Sequence, residues 1–143
     1  LITNASSREK LGKGQVMKNG DRLKPGFWFE LDAVPAYNTT PGREIYHPKD
    51  RDNGYVLTFG GTKVYVAGDT EDIPEMQNLK DIDIAFLPVN QPYTMTLLQA
   101  DRAARVIKPK VLYPYHYGET NVEELKSSLK DIPGIEVRIR QLQ

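Results

Sequence analysis

The sequence predicts an α/β domain, in which a mostly β first half is followed by alternating strands and helices from residue 68. Residues 83–89 are apolar after the initial Asp83, as expected of a parallel strand that is buried on both faces. Thr96 and Gln99 form a capping-box pattern that opens a helix with apolar residues on one face. Lys108-Pro109 ends that helix, because the residue before a proline disfavours the helical conformation.

The first half of the chain is predicted to contain one short helix and several strands. The helix occupies residues 5–11 and ends at Gly12. Residues 15–37 are predicted as strands, with Asn19-Gly20 as a hairpin turn and residues 27–34 rich in aromatic and branched side chains.

A long segment without periodicity, residues 38–53, separates these strands from the next hairpin. Connections of this length are typically functional or mobile loops. The hairpin that follows is predicted from two apolar runs that flank Gly60-Gly61.

The second half alternates helix and strand signals. Asp72 is a candidate N-cap, with a proline in the first turn and Glu75 three residues after the cap. The remaining predicted elements are a strand at 111–115, a capped helix starting at Thr120 and an edge strand at 135–140.

The composition excludes several classes of protein and partner. The 143 residues suit one domain, and the 19 basic and 19 acidic residues give no net charge with which to follow a nucleic-acid backbone. No apolar run approaches the roughly 20 residues that span a bilayer, so neither nucleic acid nor membrane is an expected partner. The absence of Cys excludes disulfides and thiol nucleophiles, and with no visible signal sequence it favours a cytoplasmic location.

Three polar residues follow predicted strands at the sheet edge where α/β proteins bind ligands. They are Asp69, Asn90 and His116, and a carboxylate beside an imidazole is a plausible start of a divalent metal site. The alternatives remain open at this point. Asp69 could be a loop or capping residue, His116 a buried hydrogen-bonded histidine, and His47, in the long loop, a surface residue.

The order of several motifs resembles the metallo-β-lactamase-fold hydrolases, in particular the branch related to L-ascorbate-6-phosphate lactonase. Gly54-Tyr55-Val56-Leu57 and Gly68-Asp69-Thr70 carry this resemblance most clearly. The remaining matches, in chain order, are Val34-Pro35-Ala36-Tyr37-Asn38, His47-Pro48-Lys49, Ile73-Pro74-Glu75-Met76, Asp81-Ile82-Asp83, Leu87-Pro88-Val89 and Pro114-Tyr115-His116-Tyr117.

The resemblance implies roles for individual residues. Asp69 corresponds to a carboxylate that bridges two metals and acts in catalysis, and His116 to the late histidine ligand of the second metal. The middle histidine of the family corresponds either to His47 or to the position of Asn38, which would then have lost the ligand. Asn38, Asn90 and Tyr115 are candidates for contacts with the substrate or for support of the ligands. The implied cofactor is a divalent metal, with zinc favoured and manganese or iron also suited to oxygen and nitrogen ligands.

One defining motif of the family, His-x-His-x-Asp-His, is absent from the 143 residues. We therefore expect a partial metallo-β-lactamase αββα sandwich, a single incomplete domain over residues 1–143 that lacks the opening strands of the first sheet. An exposed sheet edge would follow, covered either by the missing N-terminal segment or by a partner in a homodimer.

Two functions remain in contention. The first is a metal-dependent hydrolase that acts on a small ester, lactone or phosphate-bearing molecule, with a metal-activated water molecule as the nucleophile. The alternative is a catalytically silent truncated or oligomeric module that keeps the fold without a working metal site. The absent ligands leave open whether this chain is active as an enzyme.

Overall fold

The computed structural model describes residues 1–142 and confirms the α/β class. The strands and helices alternate most regularly after residue 83. In chain order the elements are β1 (Ile2–Thr3), α1 (Ala5–Leu11), β2 (Gln15–Val16), β3 (Arg22–Gly26), β4 (Phe29–Ala36), β5 (Asp52–Phe59), β6 (Thr62–Val66), a 3-10 helix (Pro74–Asn78), β7 (Ile84–Pro88), α2 (Leu97–Ile107), β8 (Val111–Tyr115), α3 (Glu123–Leu129) and β9 (Glu136–Val137).

Seven strands, β3 to β9, form one mixed sheet in chain order, and β1 pairs with β2 in a separate small parallel sheet. From β3 to β6 neighbouring strands are antiparallel, whereas from β6 to β9 they are parallel. The carboxyl ends of β6, β7 and β8 therefore share one edge of the sheet. Since β5 runs against β6, with Tyr55 opposite Val66, the loop between β4 and β5 lies at this edge too.

Two apolar cores lie on opposite faces of the sheet. Along β4, Leu31 and Ala33 join a small cluster around Met17, whereas Val34 packs against the large core. This division follows from the alternation of side chains across a strand. The large core buries the apolar sides of α2 and α3 against the sheet through residues that include Tyr65, Ala85, Leu87, Ala100, Ala104, Leu112, Leu125 and Leu129.

Several predicted elements are confirmed. Thr96 caps α2 through a complete capping box with Gln99, and Lys108 ends that helix in the left-handed conformation. Gly12 ends α1 in the same way. The turn at Gly60-Gly61 joins β5 to β6, and the final strand lies at the sheet edge, although it is limited to Glu136–Val137.

The hairpin predicted at Asn19-Gly20 is wrong. A turn does occur there, but the strands on its two sides, β2 and β3, belong to different sheets. The hairpin in this region turns instead at Phe27 and Trp28, two residues that the sequence placed within a strand. Their aromatic character indicated a strand, but both side chains are exposed.

Two predicted helix starts are also wrong. Asp72 does not cap the segment after it, because its carboxylate accepts a hydrogen bond from Arg102 Nε of α2 at 2.8 Å. That segment is a single 3-10 helix. The third helix begins at Glu123 rather than near Thr120, and no side chain caps it.

Within residues 1–142, none of the helices has the length and apolar character needed to cross a membrane.

Asp83 joins three parallel strands at the start of β7. Its carboxylate accepts the backbone N–H of Lys63 at 2.8 Å and the ammonium of Lys110 at 2.6 Å. Lys63 lies in β6, and Lys110 immediately precedes β8. The hydrogen bond from Lys110, followed by that from Lys63, lowers the pKa of Asp83 below its ordinary value of 3.8.

This shift predicts a pH-dependent stability. A carboxyl with a lower pKa in the folded chain than in the unfolded chain stabilises the fold above its unfolded pKa, and the contribution is lost as the pH falls through the folded pKa. Asp83→Asn should therefore be less stable than the unchanged protein at pH 7, with the difference shrinking below pH 3.8. Urea unfolding from pH 7 to pH 2.5 measures this, with the exposed Asp81→Asn as the matched control. A difference that stays constant across that range would contradict the interpretation.

Candidate metal site

The three residues that the sequence proposed as metal ligands lie together at the carboxyl edge of the sheet. Asp69 Oδ1 is 3.1 Å from His116 Nδ1, and Asp69 Oδ2 is 3.6 Å from His47 Nε2. Asp69 follows β6, His116 follows β8, and His47 lies in the loop between β4 and β5. One carboxylate is thus placed between two imidazoles that come from distant parts of the chain.

Asp69 is placed by a close approach between the ends of β5 and β6. A Cβ atom on Gly54 would lie 2.5 Å from the carbonyl oxygen of Ala67, so only glycine allows this approach. Gly68 has a φ of +70°, and a Cβ atom there would lie 2.8 Å from the carbonyl oxygen of Asn53. The two glycines of the Gly-Tyr-Val-Leu and Gly-Asp-Thr motifs therefore act together to bring Asp69 to the start of β5.

His116 has a left-handed backbone conformation, with a φ of +47°. This conformation is uncommon outside glycine, and such residues are concentrated at functional sites. The backbone N–H of His116 donates to the carbonyl oxygen of Leu142 at 2.7 Å, which ties the residue to the C-terminal segment. Its side chain is 38% exposed, so the ring can be reached from solvent.

His47 is oriented by a second carboxylate, that of Asp52 in the first position of β5. The His47 Nδ1 atom lies 3.1 Å from Asp52 Oδ2. A proton on Nδ1 leaves the Nε2 lone pair facing Asp69, the arrangement in which a carboxylate orients a metal-binding histidine.

Asp52 is itself held by its neighbours. Asn4 Nδ2 donates to its carboxylate at 2.8 Å, and the Arg51 guanidinium donates at 2.7 and 3.1 Å. Burial alone would raise the pKa of Asp52, but the hydrogen bonds from Arg51 and His47 lower it overall, so the carboxylate is ionised at neutral pH.

Asn38 lies at the base of the loop that carries His47. Its side chain is buried, and its amide nitrogen donates to the carbonyl oxygens of Arg43 and Tyr93 at 3.1 and 2.8 Å. Its backbone N–H donates to the carbonyl oxygen of His47 at 2.8 Å, so Asn38 closes the base of the loop that presents His47. Its amide oxygen has no hydrogen-bond partner among the described residues.

Asn90 and Tyr115 lie beside the site. The Asn90 backbone N–H is bound to Thr94 Oγ1, and its side-chain oxygen lies near Gly118, in the turn after His116. The Tyr115 ring is centred 6.5 Å from that of His116. Burial, and then the charge of Asp69, raise the pKa of Tyr115, whose hydroxyl therefore stays protonated at neutral pH.

The spacing of the three side chains fits part of a metal site. Two ligand atoms bound to zinc at about 2.0–2.2 Å in a tetrahedral arrangement are about 3.3–3.6 Å apart. The observed separations of 3.1 and 3.6 Å are close to this range. However, no group of three or more His, Asp or Glu side chains within residues 1–142 is arranged so that it could hold a metal ion. The three side chains by themselves therefore do not amount to a metal site.

The sequence did not indicate Asp52, Asn4 or Glu71 as functional residues. Asp52 precedes the Gly-Tyr-Val-Leu motif by two positions, and Asn4 lies 48 residues away from it, so no spacing rule connects either with His47. Glu71 directly follows the Gly-Asp-Thr motif, and its complete burial is a property of the fold alone.

A cavity of about 590 Å³ lies away from this site. It lies over β3 to β6 and beside the 3-10 helix, and none of the three candidate ligands lines it. Its charged residues include Arg22 and Glu30, which pair with each other at 2.9 Å. The cluster of Asp69, His116 and His47, rather than this cavity, therefore marks the candidate site.

Comparison with solved structures defines the class of fold. The metallo-β-lactamase-fold protein YhfI from Bacillus subtilis superimposes with a TM-score of 0.69 and 16% identity, over 91% of this chain and 54% of that one. A protein from Parabacteroides distasonis that bears the provisional name metal-dependent hydrolase superimposes with a TM-score of 0.96 and 67% identity, over 99% of this chain and 64% of that one. The metallo-β-lactamase fold predicted from the sequence is confirmed.

Comparison of sequences defines the family. Residues 4–117 match the family described as the beta-lactamase superfamily domain, and the chain belongs to this family. A relative from Deinococcus radiodurans, named UPF0173 metal-dependent hydrolase, is 41% identical over 92 residues, which are 63% of this chain and 40% of that relative. The chain thus spans less than half of that relative and about two thirds of the Parabacteroides protein. The nearer relationship to L-ascorbate-6-phosphate lactonase stays a prediction.

The close contact at Gly54 predicts that adding a Cβ atom there destabilises the protein. Gly54→Ala should lower the free energy of unfolding by about 1–3 kcal/mol, because its Cβ atom would press on the backbone of β6 just before Asp69. Gly26→Ala is the matched control, since its Cβ atom would meet nothing closer than 3.7 Å. Urea unfolding of the two variants measures the effect, and equal stabilities would show that the approach of β5 to β6 is not constrained as described.

Proposed function

We propose that the protein acts as a metal-dependent hydrolase and that Asp69, His116 and His47 bind its divalent metal. The observation that carries the proposal is the placement of one carboxylate between two imidazoles, at 3.1 and 3.6 Å, at the carboxyl edge of the sheet. The names of the related proteins, which include metal-dependent hydrolase, support the same function.

We propose zinc as the metal, since two imidazoles and a carboxylate form a set that zinc hydrolases use, although manganese and iron also accept such ligands. When bound, the metal would supply Lewis acidity and lower the pKa of a water molecule. The chain's own residues would bind this metal and orient its ligands. Asp69 holds the negative charge between the two histidines, and Asp52 fixes the orientation of the His47 ring.

The substrate class we propose is a small ester, lactone or phosphate-bearing molecule. The 38% exposure of the His116 side chain supports an approach to the site from solvent. Asn90, near Gly118, and Tyr115, next to His116, would then contact the substrate. The protonated hydroxyl of Tyr115 and the amide of Asn90 can both donate hydrogen bonds to a substrate oxygen.

We further propose that ligands from outside the described residues complete the site. The incomplete ligand set within residues 1–142 supports this, as does the match to only 64% of the Parabacteroides protein. The source would be a further segment of the family fold or a second copy of the chain. The alternative function, a silent module, predicts that no metal binds even when these sources are present.

The ligand assignment predicts the effect of removing Asp69. Asp69→Asn should weaken zinc binding by at least about tenfold, because even the loss of a residue that only supports a ligand costs 10–100-fold in affinity. Zinc titration against a chromogenic chelator measures this, with the exposed Asp131→Asn as the matched control. Unchanged zinc affinity in Asp69→Asn would show that the site is misplaced. If the protein with an unchanged sequence binds no zinc, manganese or iron even when the source of the missing ligands is present, the silent module is favoured.

A further inference from the structure

Glu71 is a fully buried carboxylate two residues after Asp69. Its Oε2 atom accepts three hydrogen bonds, from the backbone N–H of Thr39 at 2.8 Å, the Thr39 hydroxyl at 3.0 Å and the backbone N–H of Thr40 at 2.7 Å. Its Oε1 atom lies 3.4 Å from the Arg43 guanidinium. All four donors belong to the first turn of the loop that carries His47.

A buried carboxylate is costly unless donors replace the lost water. Here three hydrogen bonds to Oε2 and the Arg43 guanidinium beside Oε1 replace that water and stabilise the charge inside the protein. Neither the apolar cores nor the sheet pairing uses this charge. Its contacts are directed entirely at the loop.

The donors that Glu71 holds are connected to His47 by a short series of hydrogen bonds. The Arg43 backbone N–H donates to Thr40 at 2.9 Å, and the Arg43 carbonyl oxygen accepts from the Asn38 side chain at 3.1 Å. Asn38 in turn donates its backbone N–H to the carbonyl oxygen of His47 at 2.8 Å. The position of His47 thus depends on where the first turn of the loop is fixed.

The segment that carries Asp69 is anchored at the same place. Thr70 Oγ1 accepts the backbone N–H of Tyr37 at 3.0 Å and donates to the Tyr37 carbonyl oxygen at 2.9 Å. The Glu71 backbone N–H also donates to the Tyr37 carbonyl oxygen, at 3.0 Å. Three consecutive residues therefore present one candidate ligand and hold the base of the loop that presents another.

We infer that Glu71 is a positioning residue, which sets the distance between His47 and Asp69 by holding the first turn of the loop from within the fold. The expected effect on zinc binding rests on the proposed metal site. The effect of Glu71 on the position of His47 can be observed without metal. It extends the candidate site to a residue that neither binds the metal nor touches the substrate.

Two variants of Glu71 test the inference. Glu71→Ala removes every acceptor and should weaken zinc binding about 10–100-fold, the range found for residues that orient ligands. Glu71→Gln keeps one oxygen that can accept from Thr39 and Thr40 but turns an NH2 group toward the Arg43 guanidinium. Its zinc affinity should therefore fall less than that of Glu71→Ala. Asp72→Asn is the matched control, because its carboxylate pairs with Arg102 on α2 and does not contact the loop. It should bind zinc as the unchanged protein does.

A spectroscopic measurement separates positioning from general destabilisation. The chain has only two histidines, so the side-chain 15N signals of His47 and His116 can be assigned and followed without metal. In Glu71→Gln we expect the His47 signals to move and the backbone amides of Thr39 and Thr40 to exchange faster by about tenfold or more, as expected when hydrogen bonds to a charged group are lost. The His116 signals should not move.

The outcomes are distinct. If Glu71→Ala does not fold, Glu71→Gln decides the question alone. Zinc affinity within twofold of the unchanged protein, or His47 signals that do not move in a folded variant, would overturn the inference. If the unchanged protein binds no zinc even when the source of the missing ligands is present, the proposed function fails, while the metal-free His47 and amide measurements still confirm or refute the positioning role of Glu71.

Discussion

The bonding of Thr70 and Glu71 to the residues just after β4 is the constraint on which the candidate site depends. Thr70 and Glu71 bind the backbone from Tyr37 to Thr40, and this fixes where the β4–β5 loop leaves the sheet. The glycines at 54 and 68 allow the strand ends to come close enough for these bonds to form. Without this contact, the base of this loop of some 15 residues would not be fixed, and His47 would not be held beside Asp69.

The direction of the strands explains why the charges gather at one edge. Parallel pairing from β6 to β8 places Asp69 and His116 on the same side, and the antiparallel β4 and β5 bring the loop to it. Asp52 and Asp69 thereby face the two ring nitrogens of His47, and Glu71 bonds the first turn of the loop that carries it. Asp52 orients the His47 ring, Glu71 holds its loop, and Asp69 faces both imidazoles.

The sequence predicted the parts of this arrangement that depend on local pattern. The buried strand β7, the capping box of α2 and the strand-end positions of Asp69 and His116 all follow from periodicity and capping chemistry. Asp72 shows where local patterns mislead, because its carboxylate pairs with Arg102, 30 residues away, instead of capping a helix. Asp52 and Glu71 could not be predicted, since burial and long-range hydrogen bonds define their roles and neither has a local pattern.

The most direct test of the account is the location of zinc in crystals of the protein, read from anomalous scattering at the zinc edge. The account predicts a peak bonded to the Asp69 carboxylate and the His116 imidazole, with His47 contributing from the loop. A fully occupied zinc peak elsewhere, with no zinc bound to Asp69 or to either histidine, would contradict the account.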